Sequence, residues 1–382
     1  MLAITAFAAL AAWIGLALVR LRPGAFLPDL PPLRSWPEVV AIVPARDEAD
    51  VVQRTIGSLL RQDYGGRLTV ILVDDHSRDG TAEIARRVTG RHRLEIVQAP
   101  PLRPGWTGKL AAQQAGLDAA REVAPDASWI LLTDADIEHD PASIRRLVAM
   151  GETNRLDLVS LMALLHCGRF WERLLIPAFV FFFQKLYPFR LAADPASPVA
   201  AAAGGCVLLR RDRFESLGGF APIRGELIDD CALARLVKND GGRLWLGLTR
   251  DVRSIRPYVG LRPIWDMVAR TAYTQLRYSP LLLAGTVIGM ILLYLVPPLA
   301  LLAWLWTGSA TAALAGLVAW LVMAFAYLPT VRLYGQPPAM ALTLPAAALL
   351  YTGMTLDSAR RHLQGRGGGW KGRVYAAPGE AS

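Results

Sequence analysis

The segment TVILVDDHSRDGT, residues 69–81, joins an apolar β-branched run to a cluster of acids and a glycine turn. Comparable apolar runs lie at 39–43 (VVAIV), 94–97 (LEIV) and 129–133 (WILLT). Helical patterns separate these runs, at 50–62, 81–89 and 109–122. Short buried strands that alternate with helices are typical of a parallel sheet covered on both faces. The sequence from 38 to about 250 therefore predicts an α/β fold.

Polar motifs follow three of the predicted strands. They are PARDE at 44–48, DDHSRDGT at 74–81 and TDAD at 133–136. In sheets of this kind the ligand crevice lies beyond the carboxyl ends of the strands. The coincidence of charge with strand ends predicts a ligand site at that edge.

The composition indicates a membrane protein rather than a nucleic-acid-binding protein. Of the 382 residues, 53% are hydrophobic and 19% charged, and the formal net charge is +9. The basic residues are not gathered in one patch with interleaved aromatics, so we expect no nucleic-acid partner. A basic, apolar chain more often faces anionic lipid or binds phosphorylated substrates. The three cysteines lack the CxxC spacing of a zinc site and do not form a disulfide framework.

The amino terminus predicts an uncleaved transmembrane helix over residues 1–22. Residues 1–19 are uncharged and almost all apolar, and Arg20 and Arg22 follow them. A secretory signal would place its positive charge before the apolar run. The positive-inside rule then places the amino terminus outside the cytoplasm. A proline-rich linker is predicted at 23–37 and a catalytic domain at 38–278.

The carboxyl-terminal part predicts a membrane region over 279–358 and a basic tail over 359–382. Its apolar runs are 281–304, 311–329 and 339–356. Four passes would place the tail outside, whereas its arginines and lysine favour the inside. Either one segment is re-entrant, or the run that Pro297 and Pro298 break does not count as a single pass. The sequence leaves both explanations open.

The apolar stretch 174–183 is too short to span a bilayer and is flanked by cations and aromatic residues. This pattern favours an amphipathic element at the membrane interface over 170–190. The alternative is a buried core helix.

Asp134 and Asp136 end a hydrophobic strand two residues apart, where both carboxylates can converge on one cation. Mg²⁺ and Mn²⁺ prefer oxygen ligands and often take one or two carboxylates plus substrate phosphates. A lone DxD also arises by chance in exposed turns. The motif therefore indicates a metal site only in combination with the other motifs.

Four further residues are candidates for contact with a nucleotide or its phosphates. Asp75 ends the second strand, where its carboxylate can accept bonds from a base or a ribose, and Lys109 opens a helix after glycines. Pro44 and Glu48 belong to PARDE, although Glu48 equally suits a helix start. Asp79 and Thr81 are expected to be mainly structural, as a turn and a helix cap.

The later motifs add a possible base. Asp229 and Asp230 precede a helical pattern, where they either cap the helix or supply a general base. Gly205 belongs to a Gly-Gly pair that predicts a chain reversal beside a ligand. Arg277 is either a pyrophosphate contact or an interfacial arginine.

PARDE, VDDHSRDGT, TDAD, Gly204-Gly205 and Asp229-Asp230, in this order and spacing, resemble the family 2 glycosyltransferases. The resemblance implies a GT-A fold, which is Rossmann-like, and an inverting transfer from a nucleotide-diphosphate sugar. It also implies that Glu48, Asp75 and Asp134 hold the nucleoside, that Asp136 holds the metal and that Asp230 is the base. A UDP-sugar is the expected donor.

Three longer segments resemble the hopanoid-associated branch of that family. They are GWTGK (105–109), FWERLLIPAFVFFFQKLYPF (170–189) and RTAYTQLRYSP (270–280). This likeness implies a hopanoid lipid acceptor at the bacterial inner membrane, with the catalytic domain in the cytoplasm. Processive synthases of the family carry a glutamine-rich motif ending in Arg-Trp, of which this chain preserves only Arg277 and an aromatic residue.

The sequence leaves other functions to be weighed. Transfer to a polyprenyl phosphate or a ceramide-like lipid, and polysaccharide synthesis, use the same residues. A dinucleotide-dependent oxidoreductase should carry GxGxxG after its first strand, where PARDE stands instead. A non-catalytic membrane scaffold is disfavoured because every expected acid is present.

Overall fold

A computed structural model of the chain describes residues 2–18, 25–366, 369–370 and 373–374. The described residues form two compact units. The helical unit comprises the described parts of 1–23, 167–186 and 257–368, and the sheet unit those of 24–166, 187–256 and 369–382. Segments 167–186 and 257–278, which the sequence analysis placed in the catalytic domain, cluster instead with the helical unit. The physical reason is that both segments are helical and bury their apolar faces against other helices.

The sheet unit is built on one eight-stranded sheet. Its strands are β1 (Val39–Ala45), β2 (Leu68–Asp74), β3 (Arg93–Gln98), β4 (Trp129–Thr133), β5 (Ile137–His139), β6 (Leu158–Leu164), β7 (Cys206–Arg210) and β8 (Leu244–Ser254). Their order is β3-β2-β1-β4-β7-β6-β8-β5. The pairs β1–β2, β1–β4, β2–β3 and β6–β8 are parallel, whereas β7 runs antiparallel to β4 and β6, and β5 to β8. This arrangement confirms the predicted α/β fold with a mostly parallel sheet.

The helices of both units follow in chain order. They are α1 (Leu2–Leu18), α2 (Val52–Leu60), α3 (Thr81–Arg86), α4 (Gly108–Val123), α5 (Ser143–Thr153), α6 (Phe170–Leu186), α7 (Phe189–Ala193), α8 (Arg211–Ser216), α9 (Asp229–Asn239), α10 (Leu261–Ala269), α11 (Ala272–Gln275), α12 (Pro280–Met290), α13 (Val296–Thr307), α14 (Ala310–Leu333) and α15 (Leu344–Leu363).

The first strand shows why the central runs are continuously apolar. Val39, Ala41 and Val43 enter one buried cluster, and Val40 and Ile42 enter the other. Successive side chains of a strand point to opposite faces, so a strand covered on both faces is apolar at every position. This double burial holds the carboxyl ends of β1, β2 and β4 at one edge of the sheet.

The helical unit contains three helices that are long and apolar enough to cross a membrane, at 280–307, 310–333 and 338–363. The first joins α12 to α13 through a π-helix at Ile291–Leu295. Gly308, in the left-handed region at φ 64°, ends it, and α14 begins two residues later. A Cβ at Gly316 would lie 2.5 Å from the carbonyl oxygen of Pro297, so the glycine allows α13 and α14 to pack closely.

The amino-terminal helix α1 packs within the helical unit against α13 and α14. Ala6 meets Ala300 and Ala315 in a buried cluster. The indole nitrogen of Trp13 donates to the carbonyl oxygen of Leu293, in the π-helix, at 2.8 Å. Arg20 and Arg22, on which the predicted orientation rests, lie outside the described residues, as do Lys371 and the other masked residues of the tail, 367–368, 372 and 375–382.

Helix α6 lies within the predicted interfacial element 170–190 and is packed into the helical unit. Leu175, Ile176 and Ala178 are fully buried. The ring of Phe182 lies edge-on to those of Tyr294 and Tyr351, with centroid distances of 5.4 and 5.1 Å. This packing favours the alternative of a buried helix over an element lying at a lipid interface.

Candidate active site

The loops after β1 and β2 are locked together by hydrogen bonds. The backbone nitrogen of Glu48 donates to Thr81 Oγ1 (2.9 Å), and that of Ala49 donates to Asp79 Oδ2 (2.9 Å). Asp79 Oδ1 also accepts from the backbone nitrogen of Thr81. Burial raises the pKa of Asp79, but these hydrogen bonds outweigh burial and lower it. Asp79 and Thr81 therefore act structurally, as the sequence indicated.

Asp75 lies at the carboxyl end of β2 with its side chain almost fully buried. Its backbone nitrogen donates to Ala45 O at 2.8 Å, which ties it to the end of β1. Arg46 Nη1 donates to the carbonyl oxygen of Asp75 at 2.8 Å and lies 3.4 Å from its carboxylate. The predicted nucleoside contact is thus a carboxylate that an arginine holds in place at the sheet edge.

Glu48 is also buried, and its carboxylate forms an ion pair with Arg256, just beyond the end of β8. Arg256 pairs with Asp50 as well, at 3.1 Å. The structure therefore brings Glu48 to the predicted edge, next to a cation that the sequence analysis did not identify.

Lys109 joins the acids of two motifs, TDAD and the Asp229-Asp230 pair. Its ammonium lies 2.9 Å from Asp134 Oδ1 and 3.1 Å from Asp229 Oδ2. Burial alone would lower the pKa of Lys109, but Asp134, Asp229 and Asp230 overcome that effect and raise it. Lys109 is therefore charged at every physiological pH and partly neutralises the acidic cluster. The predicted phosphate contact is, in this structure, the centre of that cluster.

Asp136, like Asp134, is partly buried, and it accepts a hydrogen bond from Ser254 Oγ at 2.8 Å. Burial raises the pKa of Asp136, the neighbouring charge of Asp134 raises it further, and the Ser254 hydrogen bond opposes both. Two carboxylates that repel each other in a partly buried site suit a hard divalent cation.

Within the described residues, no group of three His, Cys, Asp or Glu side chains is placed to hold a metal. The protein thus offers the two carboxylates of Asp134 and Asp136, and a cation would need further oxygen ligands from a bound phosphate. This donor set fits Mg²⁺ or Mn²⁺, which keep only one or two carboxylates in sites that also bind phosphates.

Asp230 lies in the first turn of α9, with its carboxylate fixed by two amides. Gly204 N donates to its Oδ2 (2.8 Å) and Cys231 N to its Oδ1 (2.7 Å). Burial and the charge of Asp229 raise the pKa of Asp230 to about 6, against the opposing effects of Lys109 and the two amides. Asp230 is therefore both a helix-start acid and a carboxylate with the proton affinity of a general base near neutral pH.

The remaining predicted residues lie in different places. Pro44 is buried within β1, opposite Val73 in the register. Gly205 lies in the turn before β7, where its carbonyl oxygen accepts from Thr133 Oγ1 at 2.9 Å. Arg277 belongs to the helical unit, with an exposed side chain and a positive φ of 51°, which non-glycine residues seldom adopt.

The sequence analysis missed Arg46, Ser254 and Arg256. Arg46 lies inside PARDE, but its ion pair with Asp75 needs the parallel pairing of β1 and β2. Ser254 ends β8 and Arg256 lies two residues beyond it, and the sequence patterns did not predict this strand. The alternation of Leu244, Leu246 and Leu248, all buried, was the available signal for β8.

Residues 40–218 match the model of the family described as Glycosyl transferase family 2. This segment is therefore similar to the members of that family. The match contains the PARDE, DDHSRDGT and TDAD motifs and the Gly-Gly turn. It ends before α9, so Asp229 and Asp230 lie beyond it.

Two curated relatives align with parts of this chain. A dodecaprenyl-phosphate galacturonate synthase of Rhizobium johnstonii is 33% identical over 126 residues, which are 32% of this chain and 35% of that protein. The succinoglycan biosynthesis protein ExoO of Rhizobium meliloti is 30% identical over 138 residues, which are 34% of this chain and 36% of ExoO. The chain thus spans about a third of the length of these relatives.

The fold is also found in a solved structure, that of the mannosyltransferase PcManGT from Pyrobaculum calidifontis in complex with GDP-Man and Mn²⁺. The TM-score is 0.51 at 20% sequence identity, and the likeness covers 93% of this chain and 99% of that one. The sheet unit therefore has the GT-A fold that the sequence motifs implied.

Proposed function

We propose that this protein is a membrane-bound inverting glycosyltransferase that moves a sugar from a nucleotide-diphosphate donor to a lipid hydroxyl. The observation that carries the proposal is the cluster in which Lys109 joins Asp134 to Asp229, beside Asp230. Three carboxylates and one ammonium meet there, with Asp136 next to Asp134, so the cluster has an excess of negative charge that suits a cation-bound diphosphate.

The acids at this edge of the sheet are assigned different roles according to their positions. Glu48 and Asp75, which follow the first and second strands, would bind the nucleoside. Asp134 and Asp136 would hold a divalent cation, which supplies charge neutralisation for the departing nucleoside diphosphate. PcManGT, whose structure contains GDP-Man and Mn²⁺, supports this choice of donor and cation.

Asp230 takes the proton from the acceptor hydroxyl in the transfer step. The acceptor oxygen forms a bond to the anomeric carbon as the bond from that carbon to the diphosphate oxygen breaks. The electron pair of the broken bond leaves with the nucleoside diphosphate, and a single displacement inverts the anomeric configuration. The contact of Arg277 with the pyrophosphate stays a prediction.

The acceptor is proposed to be a hopanoid, on the sequence likeness at 105–109, 170–189 and 270–280. Three helices able to cross a membrane would keep such an amphiphile and the enzyme in the same bilayer, at the bacterial inner membrane. A polyprenyl phosphate is the second candidate, because one relative is a dodecaprenyl-phosphate galacturonate synthase.

The test is donor turnover by the purified full chain in nanodiscs, with a panel of UDP- and GDP-sugars and with or without Mg²⁺ or Mn²⁺. A polyhydroxylated hopanoid and a polyprenyl phosphate serve as alternative acceptors. We expect one donor to be consumed, with metal and hopanoid both required for transfer.

Asp136→Asn should lower this turnover at least 100-fold. Asp126→Asn, an exposed acid that pairs with Arg67, is the matched control and should leave turnover unchanged. Transfer to the polyprenyl phosphate alone would replace the hopanoid by the second candidate. Absence of turnover with every donor would contradict the proposed function.

A further inference from the structure

The turn at residues 203–206 lies between two strands that each contribute a hydroxyl group to its backbone. Cys206 N donates to Ala203 O at 3.1 Å, which closes the turn. At the start of β7, Cys206 pairs with Thr133 of β4, and Val207 pairs with Ser160 of β6. The turn is therefore flanked on both sides by neighbouring strands of the sheet.

Ser160 holds the amino-terminal half of this turn. Ala203 N donates to Ser160 Oγ at 2.8 Å. The Ser160 hydroxyl lies 3.3 Å from Ala203 O and 3.1 Å from Cys206 O, so its single proton serves one of these two carbonyls at a time. Ser160 has no exposed surface, and loss of its hydroxyl would leave the amide of Ala203 buried without this acceptor.

Thr133 and His139 hold the other half of the turn. Thr133 Oγ1 donates to Gly205 O and lies 2.9 Å from His139 Nε2. Because the one proton of Thr133 Oγ1 goes to Gly205 O, the imidazole donates its Nε2 proton to Thr133. Its Nδ1 lies 3.2 Å from Ser143 Oγ, which also lies 3.3 Å from Gln62 Oε1 and gives its single proton to one of these two acceptors at a time. Burial lowers the pKa of His139 to about 3, so the ring stays neutral at physiological pH.

Gly204 is the residue of the turn that contacts Asp230. The amide of Gly204 donates to Asp230 Oδ2 at 2.8 Å. A Cβ at Gly204 would lie 3.3 Å from that oxygen and 3.3 Å from Lys109 Nζ, so the backbone approaches both charged groups closely. A small displacement of the turn would therefore change the hydrogen bond to Asp230.

We propose that Thr133, Ser160 and His139 are positioning residues, which hold the 203–206 turn so that the Gly204 amide fixes the Asp230 carboxylate for proton transfer. The inference rests on the proposed function, in which Asp230 is the base. The three residues act through the turn, and Thr133 in addition places Asp134, its neighbour in the chain.

The experiment compares Thr133→Val, which removes the hydroxyl at constant shape, with Thr133→Ser, which retains it. Ser160→Ala tests the other half of the turn, and Thr69→Val, a buried threonine of β2, is the matched control. The rate of transfer is measured from pH 5 to 8, and hydrogen exchange of the backbone is followed by mass spectrometry in peptides covering 200–210.

We expect Thr133→Val and Ser160→Ala to lower kcat 10- to 100-fold, with the KM for the donor within twofold of wild type. Because a hydrogen bond to the ionised form of Asp230 is lost, the acid limb of the pH profile should move up by about one unit. Lys109 and Asp229, the charged groups that act on Asp230, are unchanged in every variant. Exchange at 203–206 should increase, and Thr133→Ser and Thr69→Val should resemble wild type.

An acid limb that stays at its wild-type position in Thr133→Val and Ser160→Ala would overturn the proposal, even if kcat falls. Unchanged exchange at 203–206 in both variants would overturn it as well. The exchange comparison does not depend on turnover. It therefore separates failure of this inference from failure of the proposed function, which would show as an inactive wild type.

Discussion

At the scale of single residues, the proposed base Asp230 should titrate in a pH range where the rate of transfer can be measured. Its pKa is raised to about 6 by burial and by Asp229, so the deprotonated form of Asp230 predominates above that pH. As the pH falls through about 6 the base becomes protonated, and the rate should fall tenfold per unit below it. A profile of transfer rate against pH from 5 to 8 checks this expectation.

Two variants sharpen this pH measurement. Asp230→Asn should remove the acid limb together with at least 99% of the activity, a loss of about 100-fold or more. Asp240→Asn changes a half-exposed acid just beyond the other end of α9 and should leave the limb where it is. A wild-type rate that is flat between pH 5 and 7 would exclude Asp230 as the base.

The residues of the site differ in how visible they are in the sequence. Asp75, Asp134 and Asp136 follow apolar strands directly, so hydrophobic patterning alone locates them. The partners of these acids are set by pairings that patterning does not reveal. Ser254 reaches Asp136 only because β8 joins the sheet. The role of Lys109 as the centre of the cluster likewise depends on where α4 and α9 begin.

At the scale of secondary-structure elements, α6 depends on a buried acid near its start. Glu172 has no exposed surface, and its carboxylate accepts from the backbone nitrogens of Gly168 (2.8 Å), Arg169 (2.7 Å) and Tyr258 (2.6 Å). The carboxylate therefore satisfies amides at the helix start and ties the segment after β8 to α6. Both partners lie within the helical unit.

Glu172→Gln should destabilise the protein by about 2 kcal/mol, because one carboxylate oxygen becomes an NH₂ group that faces a backbone donor. Thermal unfolding in nanodiscs should show a lower apparent Tm. Glu83→Gln, the same change at an exposed position of α3 that pairs with Arg86, should shift it little. Equal melting of wild type and Glu172→Gln would show that the hydrogen bonds of this carboxylate contribute no net stability.

The elements found from the sequence are those with the simplest patterns. β1 to β4 are apolar runs separated by helices, and all four were predicted within two residues of their ends. β5 has only three residues, and the second half of β8 carries Arg250, Asp251 and Arg253, which interrupt the apolar pattern. The antiparallel insertion of β7 between β4 and β6 has no local signature, because it depends on long-range pairing.

At the scale of the whole molecule, the helical unit helps to resolve the predicted topology. Four membrane passes would place the tail outside, whereas the basic residues of the tail favour the inside. The 280–307 helix and α14 are joined by the turn at Gly308, and α13 packs against α14, so the chain returns along α14 after the turn. Trp320 Nε1 donates to Leu342 O at 3.1 Å. Trp320 lies 13 residues before the end of α14, so Leu342 lies about 20 Å back along that helix.

Helix α15 then runs back, so that its end lies beside the segment that precedes α12. Its last turns contact the segment that precedes α12. Asp357 accepts from Trp265 Nε1 at 2.9 Å, and the ring of His362 stacks on that of Tyr278 at 4.4 Å. Although 338–363 is long enough to cross a membrane, these contacts place its end beside the start of α12. We therefore expect 334–363 to be re-entrant, which agrees with the basic tail.

Single cysteines introduced at Arg262, Ser309 and Arg366, in a background carrying Cys167→Ala, test this topology with a membrane-impermeant maleimide. The re-entrant arrangement predicts that Ser309→Cys reacts in intact cells, whereas Arg262→Cys and Arg366→Cys react only after the membrane is opened. Cys206 and Cys231 are buried, so the background without an added cysteine should remain unlabelled. Labelling of Arg366→Cys together with Ser309→Cys in intact cells would mean that all three helices cross. In that case, the contacts of α15 with Trp265 and Tyr278 could not form in the bilayer.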